Sequence, residues 1–146
     1  MQVRKLTPQL SVAPQLTPDE LSAVAAQGFR TIINNRPDME EAGQPKESDM
    51  AARAKEAGLA YAYQPVISGQ ISDQNIDDFA ANLAKLDGPV LAFCRTGTRC
   101  TVLWALSQAG KMDTDQIMAT AQQAGYDLAA LRPRLEMRAA LAKQKS

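Results

Sequence analysis

The sequence predicts an α/β fold: three layers, α/β/α, built on a mostly parallel sheet of four to five strands. Two observations predict it. Apolar, β-branched stretches recur at 29–34, 59–67 and 90–93, with segments of helical spacing between them. Glycine punctuates the boundaries, at Gly28, Gly58, Gly88-Pro89 and Gly110. Strands that alternate with helices imply parallel pairing, with helices covering both faces. With 146 residues, 45% of them apolar and 22% charged, the chain suits a single domain spanning 1–146.

Taken in order, Thr17-Pro18-Asp19-Glu20 starts a helix: Thr17 can cap, Pro18 has a φ suited to the first turn, and Glu20 can reach back. That helix runs through Leu21, Val24 and Ala25 to Gly28 and leads into a buried strand at 29–34. Residues 35–44, broken by Pro37 and Gly43, read as a loop, 49–57 as a short helix and 59–67 as a second strand. After the loop Ser68-Gly69-Gln70, residues 73–86 place Ile76, Phe79, Leu83 and Leu86 on one helical face. Val90-Leu91-Ala92-Phe93 is the most apolar strand. Helices at 101–108, 114–124 and 131–143 follow, and the tail from Lys143 to Ser146 is expected to fray.

Lysine plus arginine equals aspartate plus glutamate, 16 each, so no whole-molecule field draws in nucleic acid or an anionic membrane. The stretch Arg132-Pro133-Arg134 with Arg138 reads as an exposed helix face. No apolar run reaches the ~20 residues that cross a bilayer, and the N-terminus lacks the pattern of a signal peptide. Two cysteines are too few for a disulfide framework, which makes a cytoplasmic setting the expectation. The chain has no histidine, which removes histidine-dependent triads and most zinc sites. No metal or organic cofactor is implied.

One segment concentrates chemistry. Cys94-Arg95-Thr96-Gly97-Thr98-Arg99 follows the most apolar strand and precedes a helix, at the sheet edge where open α/β folds bind ligands. Unpaired N–H groups at a helix start favour an anion and a thiolate. Gly97 allows those N–H groups to curl inward, Arg99 offers a planar fork, and Thr96 and Thr98 add hydroxyls. Cys94 is thus the expected nucleophile, with Arg95, Thr96, Gly97 and Thr98 as the anion cradle.

The run from Phe93 to Cys100 resembles the active loop of cysteine-dependent phosphatases, and also that of rhodanese sulfurtransferases. The wider pattern is similar to a small group of bacterial proteins related to dual-specificity phosphatases. That group includes the phosphatase-like domain fused to β-lactamase-like hydrolases in sulfide-handling proteins. The match rests on residues 10–16 leading into Thr17-Pro18-Asp19-Glu20, on Thr31-Ile32-Ile33-Asn34 before Arg36-Pro37, and on 94–104. It implies a cysteine-phosphatase-like fold and hydrolysis of phosphate monoesters through a thiophosphate on Cys94.

Two departures are visible. Such phosphatases carry His before the cysteine, where this chain has Phe93. They place the arginine six residues after the cysteine, whereas Arg99 is five after and Cys100 fills the sixth position. The shorter cradle resembles that of rhodaneses, but the chain beyond Gly110 reads as helical and lacks their following strand.

The resemblance puts an acid in the loop after 59–67, where Asp73 is the nearest carboxyl; Asp38 is a weaker rival. Asp73 also sits where a helix cap or first-turn acid belongs. Cys100 is either a packing residue or a partner that traps oxidised Cys94. Arg36 is a candidate to lean into the site, and Leu103 and Trp104 read as core. The expected substrate bears phosphate, sulfate or persulfide. The reading of first choice is a phosphatase; sulfur transfer through a Cys94 persulfide is the alternative, and a non-catalytic redox or anion sensor the third.

Overall fold

The computed structural model describes residues 1–145. Five strands form one sheet in the order β1-β2-β5-β3-β4, comprising β1 Arg4–Thr7, β2 Leu10–Ala13, β3 Thr31–Asn34, β4 Ala60–Tyr63 and β5 Val90–Phe93. Only β1 runs antiparallel to its neighbour. Among the described residues the α-helices are α1 Leu21–Ala26, α2 Glu47–Glu56, α3 Asp73–Lys85, α4 Thr98–Gln108, α5 Thr114–Gln123 and α6 Arg132–Lys145. The three-layer α/β/α expectation is met, with the sheet at the upper end of the expected strand count.

Strand alternation sends side chains to two cores. Val12, Ile33, Val90 and Ala92 pack with Ile76 and Phe79 of α3 and with Leu103, Trp104 and Leu106 of α4. Ile32, Leu91 and Phe93 face the other way, against Leu21 and Val24 of α1 and Met50 and Ala54 of α2. Both faces of the sheet are thereby covered, which is why the parallel strands read as nearly continuous apolar runs. Helix α4 is buried from Arg99 through Ser107 except at the half-buried Val102, with Leu103 and Trp104 in the core as expected.

Several features differ from the sequence reading. The β1–β2 hairpin was not foreseen: each strand has four residues, too short for the period-two pattern to stand out. Strand β4 stops at Tyr63, short of residue 67, because Pro65 follows and cannot donate to a ladder. Helix α2 begins at Glu47, where the Asp38 carboxylate accepts the Glu47 N–H at 2.8 Å, a cap supplied from nine residues upstream in the preceding loop. Helix α4 begins at Thr98, so the glycine turn feeds directly into it. The tail expected to fray is helical through Lys145; Ser146 lies outside the described residues. Among the described residues no helix is long and apolar enough to cross a membrane.

Candidate active site

Strand β5 is central, flanked by β2 and β3, and this fixes where its carboxyl end delivers the chain. The Cys94 N–H donates to the Ala13 carbonyl at 3.4 Å, and the Asn35 N–H donates to the Phe93 carbonyl at 2.9 Å. The Gln15 N–H closes on the Arg95 carbonyl at 3.1 Å. The loop therefore emerges between two strand ends that hold it from both sides.

Gly97 takes φ +89° and serves as the N-cap of α4. A Cβ there would also run into the Tyr126 hydroxyl, which donates to the Thr96 carbonyl at 3.2 Å. Loop curvature thus depends on a glycine and on a tyrosine clamp from the end of α5, a residue the sequence reading passed over. The Gly97 N–H points back to the Cys94 sulfur at 3.1 Å. Thr96 and Thr98 join hydroxyl to hydroxyl at 3.0 Å, and the Thr101 hydroxyl secures the Gly97 carbonyl at 2.8 Å.

The Cys94 thiol is brought down to about 6. The largest cause is a hydrogen bond from the Cys100 side chain, followed, against desolvation, by the backbone N–H groups of Cys100, Thr96 and Gly97. Burial pushes the Cys100 thiol well above its usual range, so Cys100 stays protonated and can serve as the donor. Sequence reading had offered Cys100 as packing or as a disulfide partner and missed this third role. Both cysteines are free, and Cys94 has 0% exposed surface; it sits behind the loop residues that line the cleft.

Arg99 projects from the first turn of α4 and is 7% exposed. Its Nη1 donates to Glu40 Oε2 at 2.7 Å and to the Val66 carbonyl at 2.9 Å, and its Nη2 donates to Glu40 Oε1 at 2.9 Å. A guanidinium has five N–H donors, and these contacts use the far edge. The Nε edge has no partner among the described residues, and that edge is the fork that suits an oxyanion. The Arg99 hydrogen bond, with help from Arg36 and against desolvation, holds the Glu40 carboxyl below the ordinary carboxylate range. Arg36 is fully buried; it donates to Glu40 at 2.8 Å, Gln15 at 3.0 Å and Glu41 at 3.2 Å. It does lean into the site, as a brace on Glu40.

The acid candidates lie elsewhere. Asp73 begins α3 with 76% of its side chain exposed, paired to Arg138 at 2.9 Å and Arg134 at 3.5 Å of α6. It does not line the cleft, because the 68–72 turn carries it round to the start of α3. Asp38 is engaged in capping α2. The carboxylate that does line the cleft is Glu40, which lies in the 35–44 loop and carries no motif that marks it. Arg134, read as part of an exposed face, also lines the cleft. The assembled groups can stabilise an ionised sulfur and a bound oxyanion, but the lining carboxylate is held ionised.

Residues 2–111 match the family of the phosphatase-like domain of β-lactamase hydrolase-like proteins. A β-lactamase hydrolase-like protein of Xylella fastidiosa is 38% identical over 130 residues, 88% of this chain and 30% of the relative. The chain spans about a third of the length of the relatives it matches under that name. A solved Neisseria meningitidis structure, designated a candidate phosphatase, is 38% identical with a TM-score of 0.87 over 94% of this chain and 99% of its own. The core catalytic domain of a PP-IP phosphatase from Saccharomyces cerevisiae shares the fold at 15% identity, with a TM-score of 0.71 over 99% of this chain and 93% of its own.

Proposed function

The chain belongs to the family of the phosphatase-like domain of β-lactamase hydrolase-like proteins, and from that premise we propose that it hydrolyses phosphate monoesters through a thiophosphate on Cys94. The observation that carries this reading is the Cys94 sulfur, brought down to about 6 by donors at the start of α4. A thiolate is the nucleophilic form of cysteine, and here it predominates at neutral pH.

The sulfur attacks phosphorus, forming an S–P bond while the ester P–O bond breaks and its electron pair leaves on oxygen. Water then attacks phosphorus, the S–P bond breaks, and the thiolate, inorganic phosphate and one proton are released. The Nε edge of Arg99 and the inward N–H groups of the loop stabilise the equatorial oxygens, which is positioning plus electrostatics. Glu40 and Arg36 act through Arg99 as positioning residues. With Glu40 ionised, substrates with good leaving groups, such as aryl phosphates, react best. Cys94→Ser should abolish aryl-phosphate turnover while leaving phosphate binding in place. Unchanged turnover would remove the reading.

The same ionised carboxylate favours a second reading. Sulfur transfer needs no acid for a departing alkoxide: Cys94 attacks the sulfane sulfur of thiosulfate, the S–S bond breaks, and sulfite leaves with its electron pair. The persulfide then passes its outer sulfur to cyanide and regenerates the thiolate. Mass spectrometry after thiosulfate treatment should show one added sulfur on Cys94. An unmodified mass eliminates this reading.

A further inference from the structure

We infer that the substrate is a small molecule bearing a second acidic group besides its phosphate, and that Arg134 of α6 receives that group. This deepens the hydrolase reading and rests on it. The cleft beside the loop is about 690 Å³, in the range that holds whole small molecules and far more room than one phosphate needs.

The lining combines three kinds of group. The anion loop contributes Arg95, Thr96 and Thr98, beside Arg36 and Arg99. Ile71, Val102 and Leu131, which pack on the core beneath, add an apolar wall. Arg134 adds a cation from α6, outside the loop. At the loop, Glu40 is shared by Arg36 and Arg99, and Arg95 lies 3.9 Å from Glu41. Arg134 stands apart from that group, on α6. Its Nη2 donates to the Ile71 carbonyl at 2.8 Å and lies 3.5 Å from Asp73, so the head is anchored from one nitrogen. Its Nε and Nη1 have no partner among the described residues, and its side chain is 38% exposed. A guanidinium pinned at one corner and open on the rest is a prearranged receptor for a carboxylate or second phosphate. The cleft thus combines an anion loop, an apolar wall and a separate cation on α6. It fits a compact molecule with two acidic ends and an apolar or planar body between them.

The test compares phenyl phosphate with phenyl phosphates carrying a para carboxylate on a chain of zero, one or two carbons. At low salt the wild-type chain should favour one carboxylated probe by about tenfold in kcat/KM, the scale of one charge-assisted hydrogen bond. Arg134→Gln should erase that preference while phenyl phosphate turnover stays within about twofold, and Arg134→Lys should restore part of it, since a point charge replaces a fork. Raising salt should erode the preference in wild type, as expected of a partly exposed charge contact. Equal turnover of all probes by wild type overturns the inference and leaves the hydrolase reading standing. So does a uniform drop on every probe in Arg134→Gln that Lys does not repair, which marks a structural role. Turnover of no probe at all sinks the hydrolase reading and this inference with it.

Discussion

Glu40 grips Arg99 with both carboxylate oxygens, at 2.7 and 2.9 Å, across 59 positions of sequence. That clamp takes up the far edge of the guanidinium and leaves the Nε edge of this cleft-lining residue without a partner among the described residues. Arg36, itself buried, holds the same carboxylate from the other side at 2.8 Å. Two side chains of the 35–44 loop, with the Val66 carbonyl, thus hold one fork.

Glu40→Gln keeps the shape and removes the charge. An amide offers one acceptor oxygen where the carboxylate offered two, so one of the two Arg99 contacts is lost and Arg36 is left under-compensated. Charged hydrogen bonds contribute about 1.5–3 kcal/mol, so kcat/KM for an aryl phosphate should fall by roughly 10- to 100-fold. The same variant tests linkage. The Glu40 carboxyl sits below its ordinary 4.5 in the folded chain, so its stabilising contribution is complete above that value and lost as pH falls through the lower folded value. The gap in melting temperature between wild type and Glu40→Gln should therefore close on acidification below 4.5. A gap that holds constant in acid refutes the clamp.

How much of this was legible in advance depends on how local the cause is. The loop at 94–99 could be read because its meaning lies in adjacent residues: a buried strand, a cysteine, a glycine turn and a helix start. The sheet class followed from three apolar runs, and the core placement of Leu103 and Trp104 from their apolar side chains, whereas the burial of α4 as a whole was not read. Glu40 was illegible because nothing beside it in the chain shows that Arg99 lies within reach. Asp73 was misplaced for a related reason. Chain order puts it just after β4, but the turn at 68–72 swings it toward Arg134 and Arg138, and only the packing of α6 reveals those partners.

Asp73→Asn should leave phenyl phosphate kcat and its pH profile unchanged within about twofold. The carboxylate is 76% exposed, pairs with Arg134 and Arg138 of α6 and does not itself line the cleft, and surface ion pairs are worth about 0–1 kcal/mol. A collapse of the basic limb of the pH profile would instead restore Asp73 as the acid.

Alkylation by iodoacetamide should report the state of Cys94. The rate should rise with pH around a midpoint of about 6, because only the thiolate reacts. The largest cause of that low value is the Cys100 thiol. Cys100→Ala should therefore move the midpoint upward toward the ordinary thiol value of 9.0, while Cys100→Ser, which keeps a donor, should move it less. If Ala and Ser shift the midpoint equally, the bond between the two side chains is not what holds the sulfur ionised. Peptide mapping of the alkylated chain identifies which cysteine reacted, and Cys100, buried and raised well above the usual range, should remain unmodified.

Gly97→Ala meets two obstacles that can be separated. The first is conformational: φ +89° costs an L-residue about 1–2 kcal/mol wherever it occurs. The second is contact, because the new Cβ would collide with the Tyr126 hydroxyl and lie 3.0 Å from the ring carbon that bears it. Tyr126→Phe removes the hydroxyl, along with its bond to the Thr96 carbonyl at 3.2 Å, and alone should cost about 1 kcal/mol. In the Tyr126→Phe background Gly97→Ala should be less damaging than in wild type, since part of the collision is gone. The backbone cost and the close ring carbon remain, so relief should be partial. A double-mutant cycle on urea unfolding should thus give a coupling of about 0.5–1.5 kcal/mol in the direction of relief. Phosphate affinity should follow the same ordering, because in the proposed reaction the loop N–H groups that Gly97 and Tyr126 position hold the phosphate. Strict additivity in the cycle would mean that the tyrosine does not clamp the loop.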